Sequence, residues 1–172
     1  TFLLTWISDF YHNQFSFDMQ AVFSDQQLMD QLSFYAGETG GGNKISSILS
    51  AYTGTYRLGI STSRNYYILD GKTGKFIGGS DVIVGDTIEK TPNIITAMSG
   101  FEGKEQNAQM PYMDYAMPVF KTNSTTPEYV VYIRDDKKEL TGILGSIFWI
   151  VIQALGWGVA ICLMFGLVLV GT

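Results

Sequence analysis

The feature that most restricts the fold of this chain is an uncharged stretch at its C-terminal end. Every acidic and basic residue lies between Asp9 and Glu139, and residues 141–172 carry no charge. Residues 143–170 read ILGSIFWIVIQALGWGVAICLMFGLVLV, with Gln153 as the strongest polar interruption. About 20 apolar residues can cross a bilayer, because a helix rises about 1.5 Å per residue and the hydrocarbon layer is about 30 Å thick.

The length of this stretch favours a membrane span over a buried helix of a soluble protein. Trp149 suits the interfacial belt of a membrane, and residues 150–170 then supply 21 residues, or about 31 Å of helix. Core helices of soluble proteins rarely run this long without a charge. We therefore predict a transmembrane helix over residues 143–170.

Small side chains recur every fourth residue within the predicted span. They are Ala154, Gly158, Cys162 and Gly166. Such a ridge lets two helix backbones approach closely, and it predicts a contact with a second copy of the chain, hence a homodimer. The alternative is that small residues are simply common in membrane helices. Cys162 lies inside the predicted span, which favours a packing role over a reactive thiol.

Composition excludes several classes of protein. The net charge is −5, and no basic run is longer than Lys137-Lys138, so a nucleic-acid partner is not expected. One cysteine and one histidine exclude an intrachain disulfide framework and a Cys- or His-based metal site. We expect no cofactor. An apolar fraction of 46% is too rich for disorder.

The N-terminal end also carries a short apolar segment. Residues 2–7 read FLLTWI and stop at Ser8-Asp9, and Trp6 would mark a membrane interface. Because the sequence opens with Thr1, we expect residues 1–7 to be the outer end of a truncated first transmembrane helix. A short buried helix start is the alternative. Residues 8–140 would then form one domain between two membrane ends.

Helical spacing dominates the first part of this domain. Apolar residues recur at Phe15, Met19 and Val22, which predicts one long or kinked helix up to the glycine-rich residues 37–42. Ser24 and Gln27 have the spacing of a capping box within it. Asn43 is the predicted cap of a second helix. The aromatic and methionine stripe is interpreted as core packing. Its later members and those of the second helix are Leu28, Leu32, Tyr35, Ile45, Ile48, Leu49 and Tyr52.

The remainder of the domain predicts strands. Residues 65–70 and 75–80 flank the turn 71–74 and form a hairpin. Thr91 caps a short helix that starts at Pro92 and runs through Met98 to Gly100. Residues 110–120 and 129–133 are two further strands, and residues 135–142 lead as a helix into the predicted span. The fold class is therefore α+β: an antiparallel sheet with a long N-terminal helix, followed by a transmembrane helix.

Four segments carry a resemblance to a known family. They are YYILDGKTGKFIGGSD (66–81), VGDTI (84–88), PNIITAMSG (92–100) and YAMPVF (115–120). In order and pattern they resemble the extracytoplasmic PAS-like (Cache-type) sensor domain of bacterial membrane histidine kinases. One departure is TNSTTP (122–127), where the family often has a glycine-rich turn. The resemblance implies a PAS-like sheet, residues 8–140 outside the cell, and a cytoplasmic kinase beyond Thr172.

The resemblance also implies a pocket between the sheet and the loop before the long strand. Tyr67, Tyr112, Tyr115 and Arg134 could line it, although each also fits an ordinary place on a sheet. No basic cluster that would hold a dicarboxylate is present. The stimulus is therefore open: a small molecule, a protein partner or the membrane itself.

Catalytic motifs are missing. The sequence has no GxSxG, P-loop, HExxH or CxxC pattern, so we expect no enzyme activity within these residues. We interpret His12 as a solvent or interface residue, and Asp135-Asp136 as a solvated turn rather than an acid–base pair. A further set of aspartates flanks turns, where this residue usually bonds its own backbone, and a cation site is the less favoured alternative. These are Asp70, Asp81 and Asp86.

The leading functional hypothesis is the signal-sensing region of a two-component sensor histidine kinase in the cell membrane. The last strand runs almost directly into the predicted span, so a shift of the sheet against the first helix could move or rotate that span. Alternatives are the sensor domain of a chemoreceptor or of a cyclic-nucleotide-signalling protein, a membrane-anchored enzyme, and a non-enzymatic interaction subunit of a membrane complex.

Overall fold

The computed structural model describes residues 2–52, 58–81 and 88–170. The chain forms two compact units, Thr1–Lys137 and Lys138–Thr172. In the first unit the described residues form helices α1 (Phe2–Phe23), α2 (Gln26–Ala36), α3 (Gly41–Ala51) and α4 (Pro92–Met98). Its strands are β1 (Arg64–Asp70), β2 (Phe76–Gly79), β3 (Met113–Val119) and β4 (Tyr129–Asp135). The second unit contains α5 (Lys138–Val170).

The long helical region is interrupted at Ser24-Asp25, and the cap differs from the prediction. Asp25, not Ser24, caps α2, because its carboxylate accepts hydrogen bonds from the backbone N–H of Gln27 (3.0 Å) and Leu28 (3.3 Å). The Ser24 hydroxyl instead donates to the carbonyl of Gln20 at 2.6 Å, at the end of α1. The capping box over Ser24 and Gln27 was therefore wrong by one residue.

The predicted cap of α3 is also wrong. The N-cap is Gly40, with a φ of +70° that favours glycine, and no side chain caps this helix. Asn43 lies inside α3 because the helix begins at Gly41, where the backbone approaches its neighbours closely. A Cβ on Gly41 would lie 2.0 Å from the Tyr35 carbonyl oxygen, and one on Gly42 would lie 2.7 Å from Ile77 Cγ2. These glycines let α2, α3 and β2 pack together.

The four strands form one antiparallel sheet in the order β2-β1-β4-β3. The predicted hairpin is confirmed, with Tyr67 opposite Gly79. The strand predicted over residues 110–120 is shorter and begins at Met113, whereas β4 continues to Asp135. The helix expected from residue 135 consequently begins only at Lys138.

The two faces of the sheet pack against different helices, because side chains alternate along each strand. One face, the helical face, packs against α1, α2 and α3 and forms the larger core, which includes the predicted stripe residues Phe15, Met19, Leu28 and Leu32. The other face, the α4 face, packs against the short helix that Thr91 caps through its hydroxyl (3.3 Å from Ile94 N). This cap and Pro92 at the first helical position confirm the prediction. The smaller core consists of Tyr67, Leu69, Ile94, Ala97, Ala116, Val130 and Tyr132.

The C-terminal apolar helix is confirmed. Within Lys138–Gly166, an 18-residue window of α5 has a mean hydropathy of 2.2, and α5 is the one helix among the described residues that is long and apolar enough to cross a membrane.

Candidate ligand site

The sheet separates the four sequence-predicted pocket residues. Tyr67, Tyr112 and Arg134 are together on the α4 face, where the Arg134 guanidinium lies 4.3 Å from the centre of the Tyr112 ring. Tyr115 is fully buried on the helical face, stacked on Phe23 with 5.6 Å between ring centres. Its hydroxyl donates to Glu102. Tyr115 therefore does not face the same space as the other three.

We call Tyr67, Tyr112, Tyr132, Arg134 and Asp136 the Arg134 cluster. Arg134 Nε donates to Asp136 Oδ1 at 3.1 Å, and both side chains keep part of their surface in solvent, 33% and 42% respectively. The planar guanidinium over the Tyr112 ring is a cation–π arrangement. Arg134 is thus held by one ring and one carboxylate while its outer side stays accessible.

Tyr67 contacts two other aromatic rings on the α4 face. Its ring stacks on that of Tyr132, with 6.0 Å between centres, and meets Phe76 edge-on at 6.4 Å. Burial raises the pKa of the Tyr67 hydroxyl, and the charges of Asp81 and Asp136 raise it further against the opposing effect of Arg134. The hydroxyl is therefore a neutral phenol at physiological pH, able both to donate and to accept a hydrogen bond.

Beneath the cluster, Asp114 anchors a buried polar network that sequence reasoning missed. Its carboxylate accepts hydrogen bonds from Thr91 Oγ1 (2.7 Å), Asn93 Nδ2 (2.7 Å) and the Tyr132 hydroxyl (3.2 Å). Asp114 is 6% exposed. A buried carboxylate is tolerated when it is hydrogen-bonded in this way. The network fastens α4 to β3 and β4, and burial together with the Asp114 charge raises the pKa of Tyr132.

Asp135 and Asp136 have different environments, which corrects their interpretation as one solvated turn. Asp135 is the buried end of β4, and its Oδ2 accepts a hydrogen bond from Arg64 Nε at 2.9 Å on the helical face. Its Oδ1 accepts from the backbone N–H of Lys137 at 2.9 Å. Asp136 points to the α4 face and pairs with Arg134. Strand alternation separates the two neighbours.

His12 is buried, not a solvent or interface residue as predicted. It is 5% exposed, on the same face of α1 as Phe15 and Met19. Nδ1 donates to the Ser8 carbonyl at 2.7 Å, while Nε2 has no hydrogen-bond partner among the residues that the structure describes. Burial lowers the pKa of His12, so the ring is neutral.

The aspartates that flank turns behave as expected where they are described. Asp70 Oδ1 accepts from the backbone N–H of Lys72 (3.0 Å) and of Thr73 (2.7 Å), which is the self-bonded turn predicted. Asp86 and most of the motif 84–88 lie outside the described residues. Within the described part of the chain, no three His, Cys, Asp or Glu side chains are grouped closely enough to hold a metal ion.

The small-residue ridge lies on one face of α5. Ala154, Gly158 and Cys162 line a shallow groove of about 420 Å³ together with Leu155, Val159 and Leu163. A Cβ on Gly158 or on Gly166 would meet no atom within 4 Å, so both glycines leave open space beside the helix. The contact with a second copy at this groove stays a prediction.

The comparisons with known proteins leave the chain to be interpreted from its own residues. No protein-family model matches the sequence, and no curated protein matches it at a significant level. The Arg134 cluster presents aromatic faces, a neutral phenol, a part-exposed carboxylate and a part-exposed guanidinium.

Proposed function

We propose that this chain is the extracytoplasmic, PAS-like (Cache-type) sensing region of a membrane-bound two-component sensor histidine kinase. The observation that carries the proposal is the continuity between the candidate site and α5. Arg134 lies one residue before the end of β4, and only Asp136 and Lys137 separate β4 from a helix that can span a membrane. A ligand that moves Arg134 would act on the chain four residues before that helix.

The connection between β4 and α5 is well suited to passing on such a movement. Asp135 is held by Arg64 Nε and by the Lys137 N–H, and Lys137 adopts a φ of +56°, which is unusual for a residue with a side chain. Lys137 Nζ also donates to the carbonyl of Met110 at 2.7 Å. A segment held at several points transmits displacement instead of absorbing it.

In this proposal, residues 8–140 sense the stimulus outside the cell and residues 1–7 form the outer end of a first membrane helix. The second span, α5, pairs with a second copy through Ala154, Gly158, Cys162 and Gly166. The kinase lies beyond Thr172. Binding at the α4 face would shift or rotate α5 against its partner.

Cysteine labelling tests which side of the membrane the domain occupies. In a Cys162→Ala background, Thr125→Cys places one thiol on an exposed loop. A membrane-impermeant maleimide should label this cysteine in intact cells, whereas the chain that keeps only Cys162 should stay unlabelled inside the hydrocarbon layer. Labelling of Thr125→Cys only after lysis would overturn the extracytoplasmic placement.

Substitutions in the ridge test the coupling. Gly158→Leu and Gly166→Leu fill the open space beside α5 and should weaken both crosslinked dimer formation and signalling. Met164→Leu, at an exposed position on the same helix outside the groove, is the control and leaves every glycine in place. Unchanged dimerisation and signalling in the two glycine variants would show that the ridge is not the contact.

The coding sequence after Thr172 tests the output. A helix with a phosphorylatable histidine followed by an ATP-binding domain would support a sensor kinase. A methyl-accepting coiled coil or a cyclase-type domain would replace it with a chemoreceptor or a cyclic-nucleotide-signalling protein. A stop codon would favour the interaction subunit.

A further inference from the structure

His12 carries the one buried side-chain atom without a hydrogen-bond partner among the residues that the structure describes. Its Nδ1 lies 2.7 Å from the Ser8 carbonyl oxygen, which can only accept, so Nδ1 carries the proton of the neutral ring. Nε2 then holds a lone pair inside the protein, on a side chain that is 5% exposed. Because stability alone would favour an apolar side chain at this position, the histidine indicates a further role.

The face of α1 that carries His12 is connected to the junction between β4 and α5. Phe15, on the same face of α1, packs against the Arg64 guanidinium, whose central carbon lies 5.0 Å from the ring centre. Arg64 Nε donates to Asp135 Oδ2 at 2.9 Å, and Asp135 Oδ1 accepts from the backbone N–H of Lys137 at 2.9 Å. Lys137 is the last residue before α5. Side-chain contacts therefore join this face of α1 to the residue that precedes α5.

Lys137 places a second basic group beside His12. Its side chain is buried, and its Nζ donates to the Met110 carbonyl at 2.7 Å. Burial lowers the pKa of His12, and the positive charge of Lys137 lowers it further. An ammonium group has this effect only from nearby, because charge interactions weaken with distance. Protonation of His12 would thus bring two positive charges together in a poorly solvated region.

The other charged groups around this face do not remove the repulsion. Asp9, on the same helix, is the acid that favours the charged form of His12, and it is exposed to solvent. Asp135 is already paired on β4. On β3, which packs against α1, Tyr115 stays neutral because burial raises its pKa. On α2, Asp30 bonds a glutamine at the surface.

The proton affinity of His12 therefore differs between a closed and an open contact. While the contact is closed, the charged ring has no acceptor for its Nε2–H among the described residues, and it faces Lys137. When α1 separates from the junction, water reaches the ring and its pKa returns to about 6.5. A proton shifts a two-state equilibrium towards the state that binds it more tightly. Acidification below pH 6.5 favours the open contact by up to about tenfold per pH unit.

We propose that His12 makes the contact between α1 and the β4–α5 junction a proton-sensitive switch, closed while the ring is neutral and opened by acid. This switch adds an input on the helical face to the ligand binding proposed on the α4 face. The switch itself depends only on His12 and on the side chains around it. The further step, that acid changes the output of the protein, rests on the proposed sensor function.

Nuclear magnetic resonance can follow the ring directly, because His12 is the only histidine of the chain. In the purified 172-residue chain in detergent micelles, ring-¹⁵N-labelled histidine should titrate with a midpoint below 6.5 and carry its neutral-form proton on Nδ1. Lys137→Gln removes the neighbouring charge and should raise the midpoint. A midpoint at or above 6.5 in the folded chain would overturn the proposal. An unchanged midpoint in folded Lys137→Gln would overturn the part assigned to Lys137.

Hydrogen exchange tests whether the contact opens. Protection factors, which are corrected for the intrinsic exchange rate, should fall about tenfold over residues 8–16 between pH 7 and pH 5 and stay unchanged in α4. His12→Leu should abolish this dependence. The matched control combines His12→Leu with Asn13→His, which moves the histidine by one residue to an exposed position of α1 and should also show no dependence. A dependence that persists in His12→Leu, or returns with Asn13→His, would overturn the proposal.

A chimera separates this inference from the proposed function. When the chain is fused after Thr172 to a kinase transmitter, a change of output between pH 7 and pH 5 that His12→Leu abolishes supports both. Opening of the contact in acid without any change of output would overturn acid as a stimulus and leave the switch standing. Output that responds to another stimulus, with protection factors that do not depend on pH, would overturn the switch and leave the sensor function standing.

Discussion

The two faces of the sheet are stabilised by different chemistry. The helical face is an apolar core in which three helices cover the strands, and most of its members are fully buried hydrocarbon or aromatic side chains. The α4 face is covered by one short helix of seven residues, which is fastened by the hydrogen bonds of a buried carboxylate. Removing buried side-chain volume from an apolar face lowers the stability of the fold. A face that is held by a few polar contacts can instead open locally. The candidate site lies on the second face.

The largest effect is expected from a cavity in the helical face. Leu32 is 0% exposed in α2, and Leu32→Ala should lower the free energy of unfolding by about 3 kcal/mol through lost apolar transfer and an unfilled cavity. Urea unfolding followed by circular dichroism measures it. Phe34→Ala, at a position 61% exposed in the same helix, is the control and should change stability by about 0.5 kcal/mol or less. Equal effects would contradict the assignment of the core.

The second largest loss of stability is expected from Asp114, and it should be confined to the α4 face. Asp114→Ala removes the carboxylate that accepts from Thr91 and Tyr132, and it leaves Asn93 with backbone carbonyl acceptors only, so we expect a loss of about 2–3 kcal/mol. Hydrogen exchange should accelerate in α4 and stay unchanged in α1. Asp30→Ala removes a carboxylate that bonds only the exposed Gln26, and serves as the control. Uniform acceleration across both helices would show that the two faces unfold as one unit.

Local features of the fold were predictable from the sequence because their signals lie within a few residues. The hairpin over residues 65–80, the Thr91-Pro92 helix start and the apolar C-terminal helix are of this kind. The start of α3 at its glycines was not predictable from the sequence, because it depends on the close approach of Tyr35 and Ile77 to the helix. The location of the cap at Asp25 was missed by one residue, within the usual error of helix boundaries.

The candidate site was predictable only in part. Tyr67, Tyr112 and Arg134 share a face, but Tyr115 is three residues from Tyr112, and this odd spacing already places the two on opposite faces of the strand predicted over residues 110–120. The hydrogen bonds of Asp114 join residues that are 18 to 23 positions apart in the chain. The Arg64–Asp135 pair joins residues that are 71 positions apart. Such contacts depend on strand order and register, which sequence periodicity does not provide.

A smaller effect should come from His12, a buried polar side chain on the helical face. His12 is neutral when folded because burial lowers its pKa, whereas the unfolded chain titrates near 6.5. Stability is therefore full above pH 6.5 and falls as the pH decreases below it. His12→Leu removes the unpartnered Nε2 and should raise stability at pH 7 by about 1 kcal/mol. The same substitution should also reduce the decrease in the free energy of unfolding between pH 7 and pH 5. A variant with the same pH slope as the parent chain would show that another group is responsible.

The smallest effect is expected at the hairpin turn, which belongs to neither face. Burial alone would raise the pKa of Asp70, but hydrogen bonds from Thr73 and Lys72 outweigh it and hold the pKa below its ordinary value of 3.8. A lowered carboxyl pKa stabilises the fold above that ordinary value and loses its contribution as the pH falls through the folded one. Asp70→Asn should therefore cost less than about 1 kcal/mol at pH 7, because solvent screens the partly exposed carboxylate. Unfolding midpoints at pH 7 and pH 2.5 measure the difference, which should be smaller at the lower pH because more of the carboxyl group is protonated there. If the cost of Asp70→Asn were as large at pH 2.5 as at pH 7, the turn would depend on the shape of the side chain and not on its charge.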